Sequence, residues 1–142
     1  MSKALEILSL HEKDIEQLDR EYRRNLINSL SGYKGANLIG TSDIDGNSNL
    51  AIFSSVMHIG ASPAYMGIVM RPTTVPRHTY NNIKETHYFT INSVQKAFYA
   101  QAHQTSANYP SNLSEFEEVG LTPCYSSIHT APYVTESAIK IG

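Results

Sequence analysis

Residues 40–55 read "GTSDIDGNSNLAIFSS". Inside this stretch, Asp45-Gly46 is the dipeptide that supplies the positive backbone angles of a tight hairpin turn. Strand-like runs flank it, "ANLIGTS" from Ala36 and "SNLAIFSSVMHIG" from Ser48. A hairpin here makes the chain antiparallel and β-rich after its first quarter. The same residues also imitate two ligand loops. "GANLIGTS" from Gly35 has the glycine spacing of a phosphate-binding P-loop, but it lacks the lysine, and its intervening residues are strand formers. "DIDGN" starts like a calcium loop, yet its glycine falls too early and the twelfth position from Asp43 is Ser54, not glutamate. The hairpin explains both.

After a turn at Ser62-Pro63, "AYMGIVM" reads as another strand and delivers "RPTTVPRHT" from Arg71. Nine positions then hold Arg71, Thr73, Thr74, Arg77, His78 and Thr79, with prolines at 72 and 76. Arg71 can offer a two-pronged donor to phosphate oxygens, the threonines add hydroxyls and His78 adds an N–H. Proline suits a first helical turn, so a short helix follows Pro76 with Tyr80 and Ile83 inward, its positive end at the same place. Helical spacing turns Arg77 away from His78 and Thr79. The same residue types also build an ordinary polar loop whose threonines cap a helix, and residue type alone leaves both readings open.

Outward from this core, Ile15, Leu18, Tyr22 and Leu26 recur at helical spacing, which predicts a helix over about residues 11–30. "SLHE" from Ser9 has capping-box spacing and Gly32 supplies a left-handed stop. Glu16 with Arg20, and Asp19 with Arg23, are surface pairs four apart. Towards the C-terminus, "HYFTINSV", "CYSSIHTAPYV" and "ESAIKIG" read as strands, "QKAFYAQAH" as a helix, and "NYPSNLSEFEEVG" as a loop with a helical turn. No repeat or linker interrupts the chain, so residues 1–142 read as a single mainly β domain with a few peripheral helices.

Composition excludes several classes of function. A chain of 142 residues buries roughly 70% of its unfolded surface, enough for a core without staples. Eleven basic against thirteen acidic side chains, net -2, argue against nucleic acid as a partner. One cysteine, Cys124, permits no internal disulfide and fits a reducing, cytoplasmic setting. No apolar run approaches the roughly 18 residues of a membrane span. The six histidines lack metal-ligand spacing, so no metal is expected; His58 and His87 sit in strand-like segments and read as structural. No nucleophile elbow is present, and Cys124 has no neighbouring base. Tyr22, Tyr65, Tyr80 and Tyr88 fall in patterned elements and read as core filling.

The ordered set "DGNSNLAIFSS", "MRPTTVPRHTYNNI" and "HYFTIN", with "QAHQTS" and "APYVTESAIKI" behind it, closely resembles the flavin reductase-like family of FMN-binding split-barrel proteins. The likeness runs from about residue 20 to the C-terminus. It implies an antiparallel, Greek-key split β-barrel of six strands, a homodimer, and FMN bound near the subunit interface. On that resemblance, Asn49, Ser54, Ser55 and Val56 line the isoalloxazine ring, while Arg71, Thr73, Thr74, His78 and Thr79 hold the ribityl phosphate. His103, Gln104 and Ser106 fall in a segment that approaches a flavin, the partner subunit's included. Family members continue beyond the position of Gly142, so a C-terminus shortened relative to the family is expected. The implied function is that of an FMN-dependent oxidoreductase. It takes a hydride from NADH or NADPH and passes electrons to free flavin, another small acceptor or a redox protein. An FMN-holding electron carrier without its own NAD(P)H turnover is the rival.

Overall fold

The central hairpin joins β1 (Asn37–Ser42) to β2 (Ser48–Phe53) in a computed structural model that describes residues 8–72, 77–110 and 113–142. Its register pairs Asn37 with Phe53 and Ser42 with Ser48. The turn is held from inside. Asp43 accepts the backbone N–H groups of Asp45 and Asn47 and the side-chain amide of Asn47, and Gly46 takes φ +87°. The Asn47 side-chain bond is the main reason that the Asp43 carboxyl is held below its ordinary range. The P-loop imitation is therefore strand β1, and the calcium-loop imitation is the turn.

At Ser54 the chain changes partners. β3 (Val56–Ala61) pairs with β4 (Ala64–Ile68) in a separate antiparallel hairpin, and Ser55 extends it through its carbonyl and hydroxyl to Val69. The expected continuous strand over 48–60 is thus two strands in two sheets. Its unbroken apolar texture carried no breaker to mark the switch. After α3 (His78–Thr86), β5 (Thr90–Ser93) pairs along the other edge of β1. A 3-10 turn at Lys96–Phe98 leads into α4 (Tyr99–Gln104), and α5 (Glu115–Val119) follows. The segment read as a strand over 124–134 is strand only at its ends, β6 (Pro123–Cys124) and β7 (Tyr133–Val134), which pair with each other. The last element, β8 (Lys140–Ile141), pairs with β5, so the main sheet has the antiparallel order β2-β1-β5-β8. The chain is mainly β with a few helices, as expected.

β1 is buried on both faces. Leu38 and Ile39 are both inaccessible. On the Leu38 face, Leu50, Phe98, Ala102, Phe116, Val119, Leu121 and Val134 form the apolar core, which places α4 and α5 there. Asn92 in β5 ties β7 to this layer: its amide donates to the Leu38 carbonyl and the Thr90 hydroxyl, and its oxygen accepts the Val134 N–H at 2.9 Å. On the Thr41 face lies α3. It buries Thr79 and Asn82, not the expected Tyr80 and Ile83, which are only half-buried. A polar network on that face selects the polar side of the helix.

Residues through Lys34 form a separate compact unit from Gly35–Gly142. The helix expected over residues 11–30 is two helices, α1 (Glu12–Gln17) and α2 (Arg20–Ser29). Asp19 makes the break, because its carboxylate caps α2 by accepting the N–H groups of Glu21 and Tyr22. Those bonds, Tyr22 first, hold its carboxyl below the ordinary range. Asp19 is therefore a cap and not a partner of Arg23, whose guanidinium donates to the Glu16 carbonyl. The cap of α1 also differs from the expected one: His11 is the N-cap, and Asp14 accepts its N–H. Gly32 does take the left-handed stop, at φ +72°. Three of the tyrosines read as core are exposed, Tyr22, Tyr65 and Tyr88; Tyr88 stacks on His129 instead. His87 lies outside any strand, as the left-handed cap of α3. Among the described residues no helix is long and apolar enough to cross a membrane, and no cluster of metal-ligating side chains occurs.

Candidate functional site

The outer edge of β2 is where the candidate residues gather. α3 lies against the face of β2 that carries Asn49, α5 lies against the face that carries Leu50, and the chain leaves the strand through Ser54 and Ser55. Between these elements is a cleft of about 430 Å³ lined by Asn49, Ser54, Ser55, Arg71, His78 and Thr79. Six of the nine expected site residues therefore share one cleft. Val56, half-buried at the start of β3, does not line it. Thr73 and Thr74 lie outside the described residues.

Local contacts hold several of the six in place. Asn49 is buried and donates both amide hydrogens, to Thr41 Oγ1 at 3.2 Å and to Thr79 Oγ1 at 3.0 Å. Asn82 donates to the same Thr41 hydroxyl at 3.2 Å. This network locks the first turn of α3 onto β1 and β2. Among the described residues Asn49 Oδ1 accepts no hydrogen bond, and both of the side chain's donors are used. Ser55 is oriented by donating to the Val69 carbonyl at 2.8 Å. Arg71 follows β4 and is exposed.

One end of the cleft gathers cationic and donor groups. The N-cap of α3, Arg77, makes no side-chain cap hydrogen bond, and a helix of this length carries backbone N–H groups and a positive dipole end at its N-terminus. Arg77, His78 and Thr79 of that turn line the cleft with Arg71, and among the described residues neither arginine is paired with a carboxylate. Arg77 corrects the expectation that it faces away. It is the N-cap, with extended backbone at φ -134°, so helical spacing does not govern its direction. Its Nε donates to the Pro72 carbonyl at 3.3 Å.

The sequence also left other cleft residues unmarked. Thr105 and Ala107 contribute from the end of α4, and Glu115 from α5. Of the loosely assigned trio, only Ser106 reaches the cleft. His103 and Gln104 are exposed outside it, with the Gln104 amide donating to Tyr109. A glutamate in "SEFEEVG" looks like any helix-start acid, and nothing local marks Glu115 as different from Glu117 or Glu118. A second cleft, of about 660 Å³, is walled by Tyr65, Met66, Tyr88, Phe89 and Ile91 and contains none of the expected residues.

Comparison with known proteins agrees with the residues that first suggested the family. A split-barrel-domain protein from Shewanella frigidimarina NCIMB 400, named as a flavin reductase, superposes with a TM-score of 0.87 at 52% identity, over 94% of this chain and 66% of its own. Flavoredoxin of Desulfovibrio vulgaris (Miyazaki F) superposes with a TM-score of 0.65 at 27% identity, over 76% of this chain and 60% of its own. An uncharacterized protein of Aquifex aeolicus (strain VF5) is 28% identical over 104 residues, which are 72% of this chain and 53% of that protein. The chain thus spans about half the length of that curated relative. A match to the flavin reductase like domain covers residues 30–142, and the chain belongs to that family.

Proposed function

We propose that the β2-edge cleft holds FMN and that the protein is a flavin reductase-like oxidoreductase. In this reading it accepts a hydride from NADH or NADPH at flavin N5 and passes electrons to free flavin or another small or protein acceptor. The observation that carries the reading is the meeting of Asn49, Ser54, Ser55, Arg71, His78 and Thr79 in one cleft. The donor set fits FMN. Two guanidinium groups, a histidine and a helix N-terminus suit a phosphate. The cleft volume also falls within the roughly 300–1,000 Å³ typical of small-molecule and cofactor sites. Arg71, His78 and Thr79, joined by Thr73 and Thr74, would hold the phosphate; Asn49, Ser54, Ser55 and Val56 would lie along the ring. The flavin, when bound, supplies the redox chemistry, and the side chains bind, orient and screen it from water. No side chain has to act as acid or base for hydride transfer.

The same reading includes closure of the strands into a six-stranded Greek-key barrel and assembly as a homodimer. Support for a partner copy comes from the β3–β4 hairpin. Residues 54–70 contain no Asp, Glu, Lys or Arg, yet Met57, Ile59, Tyr65 and Met66 of this hairpin are exposed. A two-stranded hairpin is marginal without packing, and a two-fold dimer is the commonest way to supply it.

The relation to flavoredoxin favours a second reading, an FMN-binding electron carrier with no NAD(P)H turnover. One anaerobic experiment separates the two. FMN-loaded protein that bleaches with NADH or NADPH and recovers its colour with an acceptor is a reductase. Bleaching with dithionite but with neither nicotinamide identifies a carrier.

A further inference from the structure

We infer that Glu115 sets the reduction potential of the flavin in the β2-edge cleft and holds it low, an inference that rests on the FMN reading above. Glu115 is only 7% exposed and lines the cleft. Its Oε2 accepts the Leu50 N–H at 3.0 Å, and next to it the hydroxyls of Ser114 and Ser48 share a hydrogen bond of 2.8 Å. The Leu50 contact falls on the edge of β2 that faces away from β1. Because the Leu50 N–H leaves the sheet there, the period of two places the N–H and carbonyl of Ile52 on the same edge. Ile52 lines the cleft. Glu115 is therefore anchored one rung from the backbone along which the ring would lie.

The hydrogen bond alone does not require a charge, because a glutamine oxygen would also accept from Leu50. What glutamine cannot supply is the negative charge. Among the described residues no cation lies within ion-pair distance of Glu115, and the cleft's Arg71, Arg77 and His78 stay the same when only Glu115 is changed. At a group only 7% exposed such a field is screened less than in bulk water. Two-electron reduction of a flavin near neutral pH adds two electrons and one proton, so the ring gains one negative charge. A carboxylate beside the ring opposes that gain. The protein should then hold oxidised FMN more tightly than reduced FMN.

The test is redox titration of bound FMN with dithionite and a mediator dye, for wild type, Glu115→Gln and Glu115→Asp. Glu115→Gln is expected to improve the affinity for reduced relative to oxidised FMN about tenfold, which is about 30 mV upward for a two-electron couple. Glu115→Asp keeps the charge and should stay near wild type. Riboflavin, which has the same ring, should shift in parallel. Equal potentials in wild type and Glu115→Gln overturn the inference while leaving the FMN assignment intact. A wild-type potential at or above that of free FMN overturns it too, whether or not the variants fold. Wild type that takes up no FMN overturns the cofactor reading, and this inference with it.

Discussion

Thr41 is the hub of the network behind the cleft, and a double-mutant cycle on Asn49 and Asn82 tests that role. Thr41 is fully buried, and its hydroxyl oxygen accepts from both asparagines at 3.2 Å. Asn49 makes a second bond to Thr79, whereas Asn82 makes one side-chain bond. At about 0.5–1.5 kcal/mol net per neutral hydrogen bond, Asn82→Ala should cost about 1 kcal/mol and Asn49→Ala about 2 kcal/mol. Each single variant leaves Thr41 one donor. The double variant leaves it with neither, and an orphaned buried polar group costs about 1–3 kcal/mol more. The double variant should therefore exceed the sum of the singles by at least about 1 kcal/mol. Urea denaturation at constant slope measures this directly. FMN titration adds a second readout: Asn49 lines the cleft and Asn82 does not, so Asn49→Ala should weaken FMN about tenfold, about 1.4 kcal/mol, and Asn82→Ala hardly at all. Additivity within about 0.5 kcal/mol, or equal effects of the two variants on FMN, would refute the shared-hub reasoning.

Two further changes probe the frame around the site. Gly40→Ala would place a methyl group against the Pro132 carbonyl and the Thr90 hydroxyl, which are themselves hydrogen-bonded. Overpacking with loss of that bond should cost about 2–4 kcal/mol by chemical denaturation, and wild-type stability would mean that β1 and the segment before β7 are not in close contact. The Asp43 carboxyl is held below its ordinary range chiefly by the Asn47 amide. A lowered folded value means that this stabilisation is present above the unfolded value near 3.9 and is lost as pH falls through the folded value. Asp43→Asn should reduce stability by about 1 kcal/mol or less at pH 7 and converge with wild type in strong acid. Parallel pH profiles from neutral to acid would contradict that.

Much of the site was legible because its signals are local. Asp45-Gly46 marks a turn, although only Gly46 takes a positive φ and the connection between Ser42 and Ser48 is longer than two residues. A turn between apolar runs leaves little choice of pairing for β1 and β2. The Arg71–Thr79 cluster stands out because cation and hydroxyls fall within nine positions, although residue type alone fits a polar loop as well as a phosphate site. What stayed hidden depends on distance along the chain. The partner switch after Ser54 is decided by Val69, fourteen residues beyond Ser55, and no breaker announces it. The burial of Thr79 and Asn82 in place of Tyr80 and Ile83 is decided by Thr41 and Asn49, which offer polar partners that a hydrophobic pattern ignores. Glu115 reaches the cleft only because β2 leaves the Leu50 N–H unpaired on its outer edge. Asp19 was a local signal read for the wrong purpose: an aspartate before "REYRR" can pair at i+4 or cap, and the cap satisfies two backbone donors at once.

The central claim is that the cleft at the edge of β2 recognises the phosphate of FMN, and paired titrations with FMN and riboflavin test it most directly. The two ligands differ by that phosphate alone. Two to three hydrogen bonds to a charged group, at about 1.5–3 kcal/mol each, should separate them by at least two powers of ten. Arg71→Ala should weaken FMN about 10- to 100-fold and leave riboflavin unchanged; Arg77→Ala, which removes a second cleft-lining guanidinium, should act in the same direction. Equal affinity of the wild-type protein for FMN and riboflavin would contradict the claim and reduce the Arg71–Thr79 cluster to a polar loop.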